Sequence, residues 1–154
     1  MKTNVISVMV SLILAIVGVS AGVIFWWAIE SPNTPIVNWV LDTRDKDGNA
    51  ATEFQVGGFL YSHGVFEITR DTPRTLLRKI VNEDTGAIYA IFEPQFEHLK
   101  KGRYDRTFPV SVPAYLPPGH YSLRMTVLYP LNPLQPNVRV DAPVLYFTVI
   151  KTDK

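Results

Sequence analysis

The chain has 154 residues, of which 47% are hydrophobic and 19% are charged, and its formal net charge is +1. This size allows one domain with a short appendage, and the near-neutral charge excludes the basic excess that nucleic-acid-binding proteins usually carry. The absence of cysteine excludes disulfides, thiol nucleophiles and thiolate metal sites. Composition therefore predicts a folded protein that does not bind nucleic acid, and it names no activity.

The N-terminal segment predicts a transmembrane anchor. The 25 uncharged residues from Val5 to Ile29 would span roughly 38 Å as a helix, which exceeds the roughly 30 Å of a bilayer core. Trp26 and Trp27 fall near its end, where indole rings favour the membrane interface. We therefore expect an anchor at residues 1–30 that contacts membrane lipid, and a spacer at residues 31–35.

A cleaved secretory signal is the alternative interpretation of this segment. Lys2 supplies a short positive region, residues 5–19 supply the apolar region, and Val19-Ser20-Ala21 is a small-residue cleavage site. The apolar run continues for eight residues beyond Ala21, which favours a retained anchor. Cleavage after Ala21 would instead release a secreted or periplasmic binding domain.

Charges at the two ends of the segment predict its orientation. Lys2 and the terminal amine precede it, whereas Glu30 follows it. Because positive charge is retained on the cytoplasmic side, we expect a single-pass membrane protein whose C-terminal domain lies outside the cytoplasm.

Small residues form a stripe along the predicted anchor. They are spaced by three and four positions, and so share one helix face: Ser7, Ser11, Ala15, Gly18 and Gly22. Small residues let helix backbones approach closely in lipid, so the stripe predicts self-association or docking of a partner helix. The alternative is that small residues are simply common in membrane helices.

Part of the same stripe matches a catalytic pattern. Gly18-Val-Ser-Ala-Gly22 fits the G-x-S-x-G motif of serine hydrolases. That chemistry needs a strand-to-helix turn that exposes the serine, together with a histidine and a carboxylate. An apolar membrane segment provides none of these, so we interpret the match as coincidental.

Residues 36–154 predict an all-β sandwich, because short apolar runs alternate with turn-forming residues. The predicted strands are 36–41, 54–61 with a bend at 57–58, 65–69, 76–81, 87–92, 108–112, 121–129 and 144–150; segment 76–81 could also be one helical turn. Segments 45–49 and 82–86 are predicted turns, and the polar segment 97–103 is predicted to be a loop or short helix. Pro130, Pro133 and Pro136 predict the absence of regular structure between the last two strands.

Tyr121 and its surroundings carry a resemblance. Tyr121 opens the longest apolar run and Leu123 follows two positions later, as at the tyrosine corner of immunoglobulin-like sandwiches, where the hydroxyl bonds upstream backbone. Residues 108–149 also resemble small membrane-anchored immunoglobulin-like proteins of tailed bacteriophages, through Pro117-Pro-Gly-His-Tyr121, Tyr129-Pro-Leu-Asn-Pro-Leu134 and Pro143-Val-Leu-Tyr-Phe-Thr-Val149. The resemblance implies an immunoglobulin-like β-sandwich at residues 36–154 and no defined activity.

Residues of catalytic or metal-binding type do not form a recognisable site. Asp45-Lys-Asp-Gly-Asn49 lacks the glycine and glutamate positions of an EF-hand loop and is typical of a tight turn. His63, His98 and His120 lack the spacing of a local ligand pair, and Ser62 would point to the opposite strand face from His63. We therefore expect no catalytic residue, no metal and no cofactor. A hydrolase whose residues meet only in the fold is a third alternative.

The densest positive segment is Lys100-Lys101-Gly-Arg103-Tyr-Asp-Arg106. It could meet phosphates or anionic headgroups, but the favoured interpretation is a solvated loop partly neutralised by Glu93, Glu97 and Asp105. Taken together, the sequence predicts a membrane-anchored, non-catalytic binding or assembly module. It would be phage-encoded or part of an envelope complex, with a protein partner or a second copy reached through the helix.

Overall fold

The computed structural model describes residues 2–29, 34–135 and 137–151. Within these ranges one helix, α1 (Lys2–Ile29), precedes ten strands. The strands are β1 (Ile36–Arg44), β2 (Glu53–Gln55), β3 (Phe59–Ile68), β4 (Thr72–Asn82), β5 (Ile88–Ile91), β6 (Gln95–Leu99), β7 (Gly102–Ser111), β8 (Gly119–Tyr129), β9 (Val138–Asp141) and β10 (Leu145–Ile150). The protein is therefore mostly β with one N-terminal apolar helix, as the sequence predicts.

The helix α1 is apolar on every side. Ser7–Ile29 is long and apolar enough to cross a membrane, with a mean hydropathy of 2.7, and none of this span is buried against protein. A helix that is hydrophobic all round is covered by lipid or by other protein, and an N-terminal signal sequence has the same properties. Glu30, Ser31 and Pro32, where the sequence predicts the end of the helix, lie outside the described residues, as does most of the predicted spacer.

The strands form two sheets. The smaller sheet has the order β1-β3-β7 and is antiparallel throughout. The larger sheet has the order β2-β10-β8-β4-β5, with β6 also paired to β4 and β9 to β8. Among the described strands, β2 and β10 are the one parallel pair.

Alternating side chains of both sheets fill the space between them. In β8 every second residue from Tyr121 to Tyr129 is buried, and the smaller sheet supplies a matching set from β3 and β7. Fully buried side chains from the two sheets include Leu60, Ile68, Val110, Ile80, Leu123 and Val127. Arg74 of β4 reaches across the interface and places its guanidinium 5.2 Å from the ring centre of Phe66 in β3. The arrangement is a sandwich with one apolar core.

Most connections between strands lie at the two ends of the sandwich, whereas 92–94 and 142–144 lie beside the middle of the larger sheet. Ile36 pairs with Ile68, which pairs with Gly102, and this rung marks the end at which the chain enters from α1. We call it the helix-side end; it carries the turns 69–71 and 100–101 and the loop 130–135. The opposite, far end carries the turns 45–49 and 83–87, the loop 112–118 and Lys151.

The predicted strand 54–61 is two strands in different sheets, so this prediction is wrong. Gly57 adopts a φ of 73°, and the amide of Gly58 donates to the carbonyl of Gln55 at 3.1 Å, which closes a turn between β2 and β3. The separate strand predicted at 65–69 belongs to β3. Gly64 lies within this strand and leaves room for Leu41 of β1, since a methyl group there would lie 2.8 Å from the Leu41 side chain.

Two further predictions are corrected by the structure. Segment 97–103, predicted to be a loop or short helix, supplies the end of β6 and the start of β7. Strand β6 lies at a sheet edge and exposes Phe96 and His98, so its sequence lacks the alternation of apolar and polar residues that predicts a strand. Regular structure does occur between the last two long strands, because β9 follows the prolines and contains none itself; Pro136 lies outside the described residues.

Candidate functional site

The small residues of α1 lie on one exposed face. Ser7, Ser11, Ala15, Gly18 and Gly22 are all exposed. A methyl group added at Gly18 or Gly22 would meet no atom within 4 Å outside the local helix backbone, so nothing described in this chain covers the stripe. Ser20 donates its hydroxyl to the carbonyl of Ile16 at 2.8 Å within continuous helix, and no nucleophile elbow is formed.

Tyr121 ties the far end of β8 to the loop before it. The side chain is fully buried, and its hydroxyl donates to the carbonyl of Pro117 at 2.8 Å. The ring lies edge-on to Tyr89 at 5.7 Å and stacks near Phe147 at 6.0 Å. Burial raises the pKa of the Tyr121 hydroxyl, which therefore remains a proton donor at neutral pH. The acceptor lies four residues upstream in the chain.

His63 links the three strands of the smaller sheet on its outer face. Its Nδ1 lies 3.1 Å from a carboxylate oxygen of Asp42 in β1, and its Nε2 lies 2.9 Å from one of Asp105 in β7. Arg44 also contacts Asp42, and its hydrogen bond is the main cause that lowers the pKa of Asp42. Both ring nitrogens of His63 therefore lie within hydrogen-bond distance of a carboxylate. Ser62 points into the core.

The other candidate ligands stay apart. His98 is exposed on β6, and His120 lies at the far end, 3.4 Å from the hydroxyl of Thr148. Asp45 accepts the backbone amides of Asp47 and Asn49 at 2.8 and 2.9 Å, and so closes the predicted turn with its own carboxylate. Within the described residues no three His, Asp or Glu side chains are grouped to hold a metal ion.

The outer face of the larger sheet carries a groove of about 320 Å³ that crosses β4, β5, β8 and β9. Its apolar lining includes Leu77, Ile91, Phe92 and Leu128, and its cationic lining is Arg78, Lys79, Arg124 and Arg139. No carboxylate lines the groove among the described residues. We call this surface the basic groove.

Neighbouring groups hold the cations of the basic groove in place. Arg124 pairs with Glu83 at 3.1 Å, and Arg139 pairs with Asp141 at 2.9 Å. The Arg78 guanidinium lies 5.4 Å from the Phe92 ring centre, and its Nε is buried without a hydrogen-bond partner among the described residues. Burial lowers the pKa of Arg78, but an arginine stays charged at neutral pH. Arg78 and Lys79 are in no ion pair among the described residues, so these two cations offer unpaired positive charge beside the apolar surface.

Exposed apolar side chains extend this surface. Ile91 is 78% exposed and Phe96 is 80% exposed. A second groove of about 410 Å³ adjoins the first through Leu128 and is also lined by Phe96 and Pro130. Apolar groups exposed together in this way are typical of interaction sites rather than of inert protein surface.

Sequence reasoning missed the basic groove. Its cations come from positions 78–79, 124 and 139, which are far apart in the chain. The available signal was the alternation in β8, which turns Arg124, Thr126 and Leu128 away from the core. Alternation identifies an outward face but not the neighbouring strands that share it. The same limit applies to the contacts of His63 with Asp42 and Asp105.

Comparisons with known proteins identify no family. No family model matches the chain, and no curated protein matches it. A β-glucosidase from Listeria innocua in complex with isofagomine is 12% identical with a TM-score of 0.45, over 75% of this chain and 16% of that one. A family 123 glycoside hydrolase from Clostridium perfringens is 13% identical with a TM-score of 0.44, over 75% and 28%. The C-terminal domain of wzt is 15% identical with a TM-score of 0.49, over 73% and 72%.

The chain thus spans about one sixth of the Listeria enzyme and under a third of the Clostridium enzyme. Likenesses at these identities and TM-scores establish no activity shared with either enzyme.

Proposed function

We propose that this chain is a single-pass, membrane-anchored immunoglobulin-like domain that binds a partner protein without catalysing a reaction. The anchor is supported by α1, whose apolar surface no described part of the chain covers. We therefore place α1 in the hydrocarbon core of a bilayer. The charges that flank α1 place the sandwich outside the cytoplasm. An assembly of a cell envelope or virion is the setting that the sequence resemblance favours.

The strand order supports the immunoglobulin-like assignment. The smaller sheet β1-β3-β7 corresponds to strands A-B-E, and the run β10-β8-β4-β5 corresponds to G-F-C-C′ of variable-type domains. In this correspondence Tyr121 opens strand F and Leu123 takes the position of the disulfide cysteine.

The basic groove is the observation that carries the binding function. Four cations border an apolar floor, and no carboxylate lines the groove among the described residues. Arg124 and Arg139 are paired with carboxylates beside the groove, whereas Arg78 and Lys79 are not. This pattern complements a polypeptide segment in which acidic residues flank apolar ones, since both kinds of surface gain a partner. We therefore assign the groove to an acidic, apolar segment of a partner protein.

A pair of synthetic peptides tests this function with the full chain in detergent. One peptide alternates Asp or Glu with Leu or Phe, and the other replaces the acids by Lys. We expect the acidic peptide alone to bind, and Lys79→Gln with Arg139→Gln to weaken binding by roughly tenfold, which corresponds to two exposed ion pairs. Lys46→Gln with Lys151→Gln, at the far end, is the matched control. Equal binding of both peptides, or equal loss in both double variants, would exclude this groove as the site.

A further inference from the structure

The helix-side end of the sandwich carries an excess of positively charged residues. The turns 69–71 and 100–101 and the adjoining strand ends carry Arg70, Lys100, Lys101 and Arg103 against two carboxylates, Asp71 and Glu67. The far end has the opposite balance: its turns and adjoining strand ends carry Asp45, Asp47, Glu83 and Asp84 against Arg44, Lys46 and Lys151. Charge is therefore polarised along the axis that begins at α1.

The cations of this end are not neutralised by the carboxylates around them. Within the described part of the chain, no ion pair includes Arg70, Lys100, Lys101 or Arg103. The carboxylate of Asp71 accepts the backbone amide of Lys101 at 2.8 Å.

Of the acids expected to neutralise this segment, Glu97 reaches only Arg106, at 4.0 Å, and both Glu97 and Asp105 have closer partners on other strands. Glu97 accepts Arg74 at 2.7 Å, and Asp105 contacts His63. Lys100 and Lys101 therefore present exposed ammonium groups to whatever lies beyond this end.

The chain itself places this end close to the bilayer that would hold α1. The six residues 30–35 separate Ile29 from Ile36, and seven peptide steps reach at most about 25 Å. Ile36, Ile68 and Gly102 occupy adjacent strands, so the turn 100–101 lies about 10 Å sideways from the point of entry. In the adjacent loop, Asn132 donates to the carbonyl of Trp27 at 3.1 Å, in the last turn of α1.

We propose that this basic end binds anionic phospholipid headgroups of the bilayer in which α1 is embedded, and so holds the sandwich down on the membrane. The inference rests on the proposed anchor. Polybasic segments beside a membrane span are attracted to anionic headgroups, and two lysines shift the bound population by roughly thirtyfold. The half-exposed side chain of Leu134, in the loop at the same end, adds an apolar contact.

The test uses the full chain in nanodiscs of phosphatidylcholine, with or without phosphatidylglycerol. Since the chain has no cysteine, a single one at Asn137, on the helix-side end, or at Asp84, on the far end, carries a unique fluorophore. Lipids with a nitroxide headgroup quench it on contact. The variants are Lys100→Glu with Lys101→Glu, and the matched control Lys46→Glu with Lys151→Glu.

We expect phosphatidylglycerol to increase quenching at position 137 and leave position 84 unquenched. Lys100→Glu with Lys101→Glu should return quenching to the phosphatidylcholine level, as should about 1 M salt, where the screening length falls to about 3 Å. The far-end pair should change nothing. Inorganic phosphate should compete no better than chloride at equal ionic strength; stronger competition would indicate a soluble phosphate ligand and overturn the proposal.

Incorporation of the chain into the nanodisc is measured separately, because it distinguishes failure of the headgroup contact from failure of the anchor. A chain that stays in the nanodisc but shows the same quenching in both lipids, or in both double variants, overturns the headgroup contact and leaves the anchor intact. A chain that does not enter the nanodisc overturns the anchor and the inference together.

Discussion

Tyr121 and Tyr129 stand at opposite ends of β8, both buried in the core, and they differ in one bond. The Tyr121 hydroxyl donates to the carbonyl of Pro117 at 2.8 Å. The Tyr129 hydroxyl is buried without a partner among the described residues. A buried hydroxyl stabilises a fold only when its hydrogen bond is made, so the two rings should respond differently to loss of the oxygen.

Tyr121→Phe keeps the ring and removes the bond to Pro117. We expect it to lower the free energy of unfolding by about 0.5–1.5 kcal/mol. Tyr129→Phe is the matched control, and it should be neutral or slightly stabilising because it removes an unpaired polar atom. Urea denaturation of the full chain in detergent measures both; equal midpoints for the two variants would contradict the assigned role of Tyr121.

Glu83 makes the free energy of unfolding depend on pH in the acidic range. Its carboxylate accepts hydrogen bonds from the buried Ser122 hydroxyl and from Arg124, and the Ser122 bond is the main cause that lowers the pKa of Glu83 below its ordinary 4.5. A lowered pKa in the folded state means that the stabilisation is complete above pH 4.5 and disappears as the pH falls through the folded value.

We expect the free energy of unfolding to decrease on acidification below pH 4.5, and Glu83→Gln to reduce this decrease. Ser122→Ala, which removes the larger cause, should flatten the profile more than Arg124→Gln does. Denaturation midpoints measured from pH 7 to pH 3 give the comparison. A profile unchanged by Ser122→Ala would show that another group governs the acid response.

The sequence predicts individual strands and turns better than the contacts between residues that are far apart in the chain. The alternation from Tyr121 to Tyr129 predicts β8, and the turn at 45–49 forms as expected. Pairing between strands is invisible to local patterns, so the contacts of His63 and the cations of the basic groove could not be foreseen. Strand β6 was not predicted for a different reason. It lies at a sheet edge, buries only Leu99 and shows no periodic apolar pattern.

The small-residue stripe of α1 should mediate helix contact. Gly18→Ile with Gly22→Ile keeps the segment hydrophobic but adds bulk where two backbones would meet, so insertion should persist and crosslinking between chains should decrease. Ile16→Ala with Val23→Ala, away from the stripe, is the control and should matter less. Equal crosslinking yields for the Ile variant and the unmodified chain would leave α1 as a plain tether.

The N-terminus of the mature chain distinguishes the anchor from the cleaved signal. We expect mass spectrometry of membrane-extracted protein to find residues that precede Ala21, since the apolar segment continues past that position. Chains that begin at Gly22 would establish the secreted alternative. For the retained anchor, protease added outside intact cells should digest the sandwich, and complete protection would contradict the predicted orientation.

The length of β4 and β8 fixes how far this protein reaches. Each strand has eleven residues and runs between the helix-side and far ends, which spans about 36 Å at about 3.3 Å per residue. With α1 embedded as proposed and a connection of at most about 25 Å, the far end would stay within roughly 60 Å of the lipid surface. A partner of the proposed anchored protein would therefore have to come within that layer, either from the same bilayer or from a molecule that approaches it.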